Sequence, residues 1–158
     1  MTQHYPISLG VISDTHGLLR PEALTALAGV DHILHAGDVG DPNILTALRE
    51  IAPVTAIRGN VDLFGDCALL PETEAIKLGN RLFYIVHSIY DLDINPAAAG
   101  IAMVITGHSH QPEIEARNGV IYLNPGSAGP RRFKLPVTLA IVTLTETEIS
   151  PRLIHLLP

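Results

Sequence analysis

The sequence predicts a mixed α/β domain in which sheets pack together and helices lie outside them. Three observations predict it. Apolar runs of strand length, rich in Val, Ile and Tyr, recur at residues 7–13, 32–36, 54–57, 82–86, 102–106, 120–123 and 137–143. Helix-like segments separate the first three runs. Two-residue turns separate several of the later ones.

The first half alternates. After the run at 7–13, "RPEALTALAG" places Pro21 and Glu22 in a first helical turn and Gly29 as a stop. After 32–36, "DPNILTALREI" offers Asp41 as N-cap and Pro42 at the first helical position. Strand–helix–strand–helix–strand implies parallel strands joined by right-handed crossovers. The second half changes character. "AIKLGNRLFYIVH" carries a Gly79-Asn80 turn and "EIEARNGVIYLN" an Asn118-Gly119 turn, both hairpin signals. "INPAAAG" reads as a short helix capped by Asp93 or Asn95 and stopped at Gly100. The runs at 137–143 and 149–156 pair antiparallel. No composition shift, low-complexity tract or short repeat divides the chain, so residues 1–158 read as one domain.

A chain of 158 residues suits one real core, burying roughly 68–70% of what the unfolded chain exposes. The net charge of −6 argues against a protein that grips nucleic acid through its phosphates, which needs clustered Lys and Arg. One cysteine, Cys67, excludes an internal disulfide and a thiolate-rich metal site. The opening stretch "MTQHYPISLGVISD" lacks a basic region followed by a long apolar one. No run reaches the roughly 18 apolar residues of a membrane span. A cytoplasmic protein without membrane attachment is the expectation. Eight histidines stand beside four tyrosines, three phenylalanines and no tryptophan, so histidine serves some chemistry.

That chemistry shows at the C-terminal side of each run. The runs hand over to Asp14-Thr15-His16, Gly37-Asp38, Gly59-Asn60, His87, Gly107-His108-Ser109-His110 and Asn124-Pro125-Gly126-Ser127. In α/β sheets the C-terminal strand ends are where ligands bind. Asp14, Asp38 and Asn60 offer oxygens; His16, His87, His108 and His110 offer imidazoles. Seven such ligands exceed one tetrahedral ion and suit two ions sharing a carboxylate. Mn²⁺ stands first, with Fe²⁺, Co²⁺, Ni²⁺ or Zn²⁺ as alternatives, because Ca²⁺ and Mg²⁺ take oxygens almost exclusively. Two ions roughly 3.5–4 Å apart form the clamp of phosphoryl hydrolysis. Singly, an Asp-x-His or a Gly-Asp is usually a turn; the ordered set at successive strand ends carries the weight.

The order Asp-x-His, Gly-Asp, Gly-Asn-x-Asp, His, Gly-His-x-His resembles the calcineurin-like metallophosphoesterases, and the Asn-Pro-Gly-Ser turn and short length resemble their small stand-alone phosphodiesterase branch. That branch also includes the small retromer subunit, a scaffold. The resemblance implies a four-layer α/β/β/α sandwich of two mixed sheets. It implies that Asp14, His16 and His110 hold a first metal, that Asn60, His87 and His108 hold a second, and that Asp38 bridges them. A metal-bridging hydroxide would attack phosphorus, with Asn60, Asp38 and His87 as the catalytic residues and Asn60 also donating to the substrate. The implied activity is phosphodiester hydrolysis of a small phosphate ester. Phosphomonoester or nucleotide hydrolysis and a non-catalytic scaffold are the alternatives, and a homodimer is a further expectation. Two positions depart from the family. Val61 stands where many members carry the histidine that protonates the leaving group, and Ser88 stands where a glycine usually follows the ligand His87.

Other residues have bland readings first. Arg58, Arg131 and Arg132 are candidate substrate contacts, the last two with Lys134 in "GPRRFK", although basic loops are commonly just solvated. Asp62 is expected to orient a ligand or its loop, and His35 to sit behind the site as a satisfied histidine. His4, His32 and His155 read as surface or strand-edge residues, and nothing marks Cys67 as activated.

Overall fold

The computed structural model describes residues 4–158. Residues 1–3 of the opening stretch, where a leader was not expected, lie outside the described residues. Two five-stranded mixed sheets pack face to face. The first runs β10-β9-β1-β2-β3 and the second β4-β5-β6-β8-β7. Their strands are β1 (Ile7–Ile12), β2 (His32–His35), β3 (Val54–Ala56), β4 (Thr73–Leu78), β5 (Arg81–Val86), β6 (Ile101–Ile105), β7 (Glu113–Arg117), β8 (Val120–Asn124), β9 (Thr138–Leu144) and β10 (Ile149–His155).

The predicted pairings hold. β1, β2 and β3 are parallel neighbours, joined through helices α1 (Pro21–Leu27) and α2 (Pro42–Arg49). Asp41 caps α2, its side chain accepting from the Asn43 N–H at 2.9 Å. The Gly79-Asn80 and Asn118-Gly119 turns close the antiparallel pairs β4–β5 and β7–β8. Asn118 and Gly119 take φ of 52° and 78°, the left-handed conformation such a turn demands. β9 and β10 pair antiparallel.

Alternation decides which face of each strand meets the other sheet. Leu9 and Val11 of β1 and Leu34 of β2 meet Phe83 and Ile85 of β5, Met103 and Ile105 of β6 and Leu123 of β8 in one buried cluster between the sheets. On the outer face of the first sheet, Ile12 and Ile33 pack against Leu27 of α1 and Leu45 and Leu48 of α2.

The outer face of the second sheet is covered differently from expectation. Leu92 packs there against Val86, Val104 and Val120, from a segment that holds a single 3-10 turn, Ile89–Asp91. "INPAAAG" is a turn rather than a helix. Asn95 accepts from Ala98, as a cap would, but Gly100 at φ 76° stops the chain after one turn. So few residues cannot offset the cost of helix nucleation. No described helix is long and apolar enough to cross a membrane.

Parallel pairing has one consequence for function. β1, β2 and β3 in one sheet and β5, β6 and β8 in the other each end on a common edge. Stacking the sheets brings these C-terminal ends together.

Candidate metal centre

The turns at that edge converge on one point. Among the described residues, seven non-glycine residues have positive φ: Asp14, His16, Asp38, His108, His110, Asn118 and Phe133. Five of them belong to the predicted ligand set. Left-handed backbone is unfavourable for such residues and persists where the surroundings impose it, commonly at functional sites. Here it turns consecutive side chains inward at strand ends.

Two groups of three form. Asp14, His16 and His110 bring their ligand-capable atoms within 4.8 Å of one another, and so do Asp38, His87 and His108. Asn60 lies at the second group, with Oδ1 3.0 Å from His87 Nε2 and 3.1 Å from His108 Nδ1. All seven predicted ligand positions are thus brought together.

Each carboxylate is held by one oxygen and presents the other. Asp14 Oδ2 accepts from the Ser13 hydroxyl at 2.7 Å and the His108 N–H at 3.0 Å. Its Oδ1, fully buried, has no hydrogen-bond partner and lies 3.4 Å from His110 Nε2 and 3.7 Å from His16 Nε2. Asp38 Oδ1 accepts from the Val61 N–H at 3.0 Å, while Oδ2 lies 3.2 Å from His87 Nε2 and 3.4 Å from His16 Nε2. His16 Nε2 and both ring nitrogens of His110 are buried without partners. Orphaned buried polar atoms are costly and call for an occupant.

His87 makes the point sharply. Its Nδ1 lies 2.7 Å from the Ala36 carbonyl, which only accepts, so Nδ1 carries the proton. In the neutral ring Nε2 is then a bare lone pair, and it faces Asn60 Oδ1, Asp38 Oδ2 and, at 3.8 Å, Asp14 Oδ1. Acceptors facing acceptors need a cation between them. Four imidazoles beside carboxylate and amide oxygens suit a divalent transition metal.

Without an ion, the two carboxylates stay ionised, and His16 and His87 hold a proton more readily than a free imidazole does. Burial alone would raise the Asp14 pKa, yet His110, His16, His87 and the Ser13 hydroxyl hold it far below the carboxylate range. Burial likewise opposes the net lowering of Asp38, which His87 and the Val61 N–H bring about. Asp14 raises His16 against its burial. Burial lowers His87, but Asp38 and the Ala36 carbonyl outweigh it and leave the pKa raised.

The supporting residues behave as bonded braces. His35 is fully buried. Its Nδ1 accepts from the Gly37 N–H, so Nε2–H donates to Thr15 Oγ1 at 3.0 Å, and Thr15 donates onward to the Val39 carbonyl. Burial pushes its pKa down to about 4. Asp62 accepts from the N–H groups of Val39, Gly40 and Gly59, joining the loops after β2 and β3. Gly59 is required by packing, because a Cβ there would strike the Asp38 carboxylate and backbone. Ser88 is extended, at φ −116° and ψ 136°, so no glycine is needed after His87.

Sequence reasoning missed several participants. Ser13 anchors Asp14, and Thr15, the middle residue of Asp-x-His, bridges to His35. Asn124 donates to the Gly107 carbonyl and Ser109 Oγ, shaping the Gly-His-Ser-His loop. Ser127 donates to the Asp14 carbonyl. The available signal was a small polar residue next to Asp14, His16, His108 and His110 and the Asn-Pro-Gly-Ser turn after the run at 120–123.

The arginines lie around the rim. Arg58 donates to the Ala68 carbonyl and pairs with Glu72 at 2.6 Å while lining a cleft beside Asn60. Arg131 and Arg132 line a smaller pocket with His16 and His110. His32 bonds Thr55, and His4 and His155 are exposed.

Known proteins resemble this chain in sequence and in fold. The family model of the calcineurin-like phosphoesterase superfamily domain matches residues 7–147. The chain is 31% identical to the probable metallophosphoesterase MJ0623 of Methanocaldococcus jannaschii, over 92% of this chain and 80% of that protein. It is 31% identical to phosphodiesterase YfcE of Escherichia coli K12, over 73% of this chain and 76% of the other. Among solved structures, Vacuolar Protein Sorting 29 from Cryptosporidium parvum superposes with a TM-score of 0.76 at 17% identity, covering 96% and 98% of the two chains. At that identity the likeness is one of fold.

Proposed function

The chain belongs to the calcineurin-like phosphoesterase superfamily, and we propose that it is a phosphodiesterase working with a pair of divalent transition metals, Mn²⁺ first among them. Asp14, His16 and His110 would hold one ion and Asn60, His87 and His108 the other, with Asp38 contributing to both. One observation carries this: the lone pair of His87 Nε2, its tautomer fixed by the Ala36 carbonyl, faces the Asp38 and Asp14 carboxylate oxygens and the Asn60 amide oxygen. Such a pair supplies an acidified water as nucleophile and neutralises charge on the phosphoryl oxygens.

The chain's own residues do the rest. Ser13 and the His108 N–H fix Asp14, the Val61 N–H fixes Asp38, and the Ala36 carbonyl fixes the His87 tautomer. Asn60 Oδ1 faces the two imidazoles, and among the described residues its Nδ2 has no partner, leaving that amide to donate to a substrate oxygen. Hydrolysis breaks one P–O ester bond and adds water across it: the hydroxyl stays on phosphorus, and the proton goes to the departing oxygen or, where the alcohol is acidic enough to leave as its anion, to solvent. Val61 has no proton to give. Esters with acidic leaving alcohols are therefore the favoured substrates.

The test is metal content together with hydrolysis of bis(p-nitrophenyl) phosphate with added Mn²⁺. Absence of both bound metal and activity with any divalent ion would move the protein to the scaffold reading. A higher kcat/KM for p-nitrophenyl phosphate than for the diester would make it a monoesterase.

A further inference from the structure

Most of the open space beside the centre has no role in that scheme. A cleft of about 710 Å³ opens from Asn60, His87 and His108, and its outer wall includes Glu72, Tyr84, Asp91 and Asp93. Its inner wall is the rim of the metal centre, where His87, with a side chain 9% exposed, faces only acceptors. In the outer wall the single cation, Arg58, is bound to Glu72 at 2.6 Å. Among the described residues Asp91 and Asp93 accept no side-chain hydrogen bond and meet no cation, so the wall carries two unbalanced negative charges. Across the centre the sign reverses: a pocket of about 250 Å³ runs from His16 and His110 to Arg131 and Arg132.

A phosphodiester lying over two metals places its two substituents on different sides. We propose that the cleft seats one ester substituent of the substrate and that this substituent is a short cationic alcohol, an aminoalkyl or trimethylammonioalkyl group. The proposal rests on the phosphodiesterase reading and names the substrate class of that site. An anionic substituent is repelled by Asp91 and Asp93. A cationic one is attracted to both and can lie against the Tyr84 ring. Both carboxylates are exposed, so the preference is modest and salt-sensitive.

The experiment compares, on Mn²⁺-loaded protein, the p-nitrophenyl phosphodiester of choline with that of 3,3-dimethylbutanol, its uncharged isostere. The leaving group is the same in both. The choline ester is expected to win by about fivefold in kcat/KM at low salt, the margin shrinking at about 0.5 M salt. In the double variant Asp91→Asn/Asp93→Asn the ratio falls to about one. A second arm needs no turnover: calorimetry with the methylphosphonate monoesters of the same two alcohols should give the same order of Kd. Equal kcat/KM and equal Kd for the charged and uncharged forms would overturn the proposal. Hydrolysis of neither diester, with the charged phosphonate still bound more tightly, would sink the phosphodiesterase reading and leave the cationic cleft standing.

Discussion

Val61 serves the site through its backbone. Its N–H holds Asp38, while the residue itself, 41% exposed, stands outside the core. A different side chain is therefore tolerated, and Val61→His is expected to fold and to offer a proton donor at the site's edge. The expected result is a larger rate gain for alkyl than for p-nitrophenyl leaving groups, seen as a shallower dependence of log kcat on leaving-group pKa. An unchanged slope would mean that another group supplies the proton. Asp38→Asn keeps an oxygen for the Val61 N–H but removes the charge facing His16 and His87. Activity should fall by at least about a hundredfold, with weaker Mn²⁺ binding by calorimetry; full activity would exclude Asp38 as the bridge. His35 gives a pH effect of known sign. Its pKa is lowered from 6.5 to about 4, so its contribution to stability is present above pH 6.5 and lost as pH falls toward 4. The scale is about 3 kcal/mol at most. His16 and His87, raised, act oppositely: their contribution is present below 6.5 and lost as pH rises through their folded values. Urea unfolding of wild type and His35→Gln at pH 7 and pH 4.5 separates the two, because only wild type carries the His35 loss. At this scale the sequence singled out by their spacing the seven candidate ligand positions that the structure brings together. It also pointed to His35 and Asp62 as supports, but hid Ser13 and Thr15, because serine and threonine beside a ligand look like any turn.

Elements were legible where the chain carries periodic and turn signals together. The parallel half declared itself through strand–helix alternation, and both hairpins through Gly79-Asn80 and Asn118-Gly119. "INPAAAG" misled because it has the caps of a helix without the length. The loops after β2 and β3 matter more than either strand to the site, and Asp62 joins them. Asp62→Ala would leave the N–H groups of Val39, Gly40 and Gly59 without their acceptor. Allowing for water reaching the partly exposed ones, the loss is about 2 kcal/mol. The prediction is a lower urea midpoint together with weaker metal binding, since Asp38 and Asn60 lie on the two loops being released. Lower stability with unchanged metal affinity would show that each loop holds its ligand unaided.

The whole molecule explains why the ligands must come from both sheets. Asp14, His16, Asp38 and Asn60 follow β1, β2 and β3 of the first sheet; His87, His108 and His110 follow β5 and β6 of the second. Each group of three mixes the two: Asp14 and His16 with His110, and Asp38 with His87 and His108. Metal held there would staple one sheet to the other, a link that no hairpin makes, since β4–β5, β7–β8 and β9–β10 each close within a sheet. Binding to the folded chain alone stabilises it by mass action, about 2.7 kcal/mol at free metal one hundred times Kd. For a chain of this size that corresponds to roughly 5–10 °C in Tm. Calorimetric scans with excess Mn²⁺ and with chelator measure it. The location of the effect is more telling than its size. Hydrogen exchange should slow on metal addition at the C-terminal ends of β1, β2, β5 and β6 together, while the edge strand β10, separated from β1 by β9, stays unchanged. Protection confined to one sheet would mean that the ion is held by that sheet's ligands alone, and the shared centre would have to be abandoned.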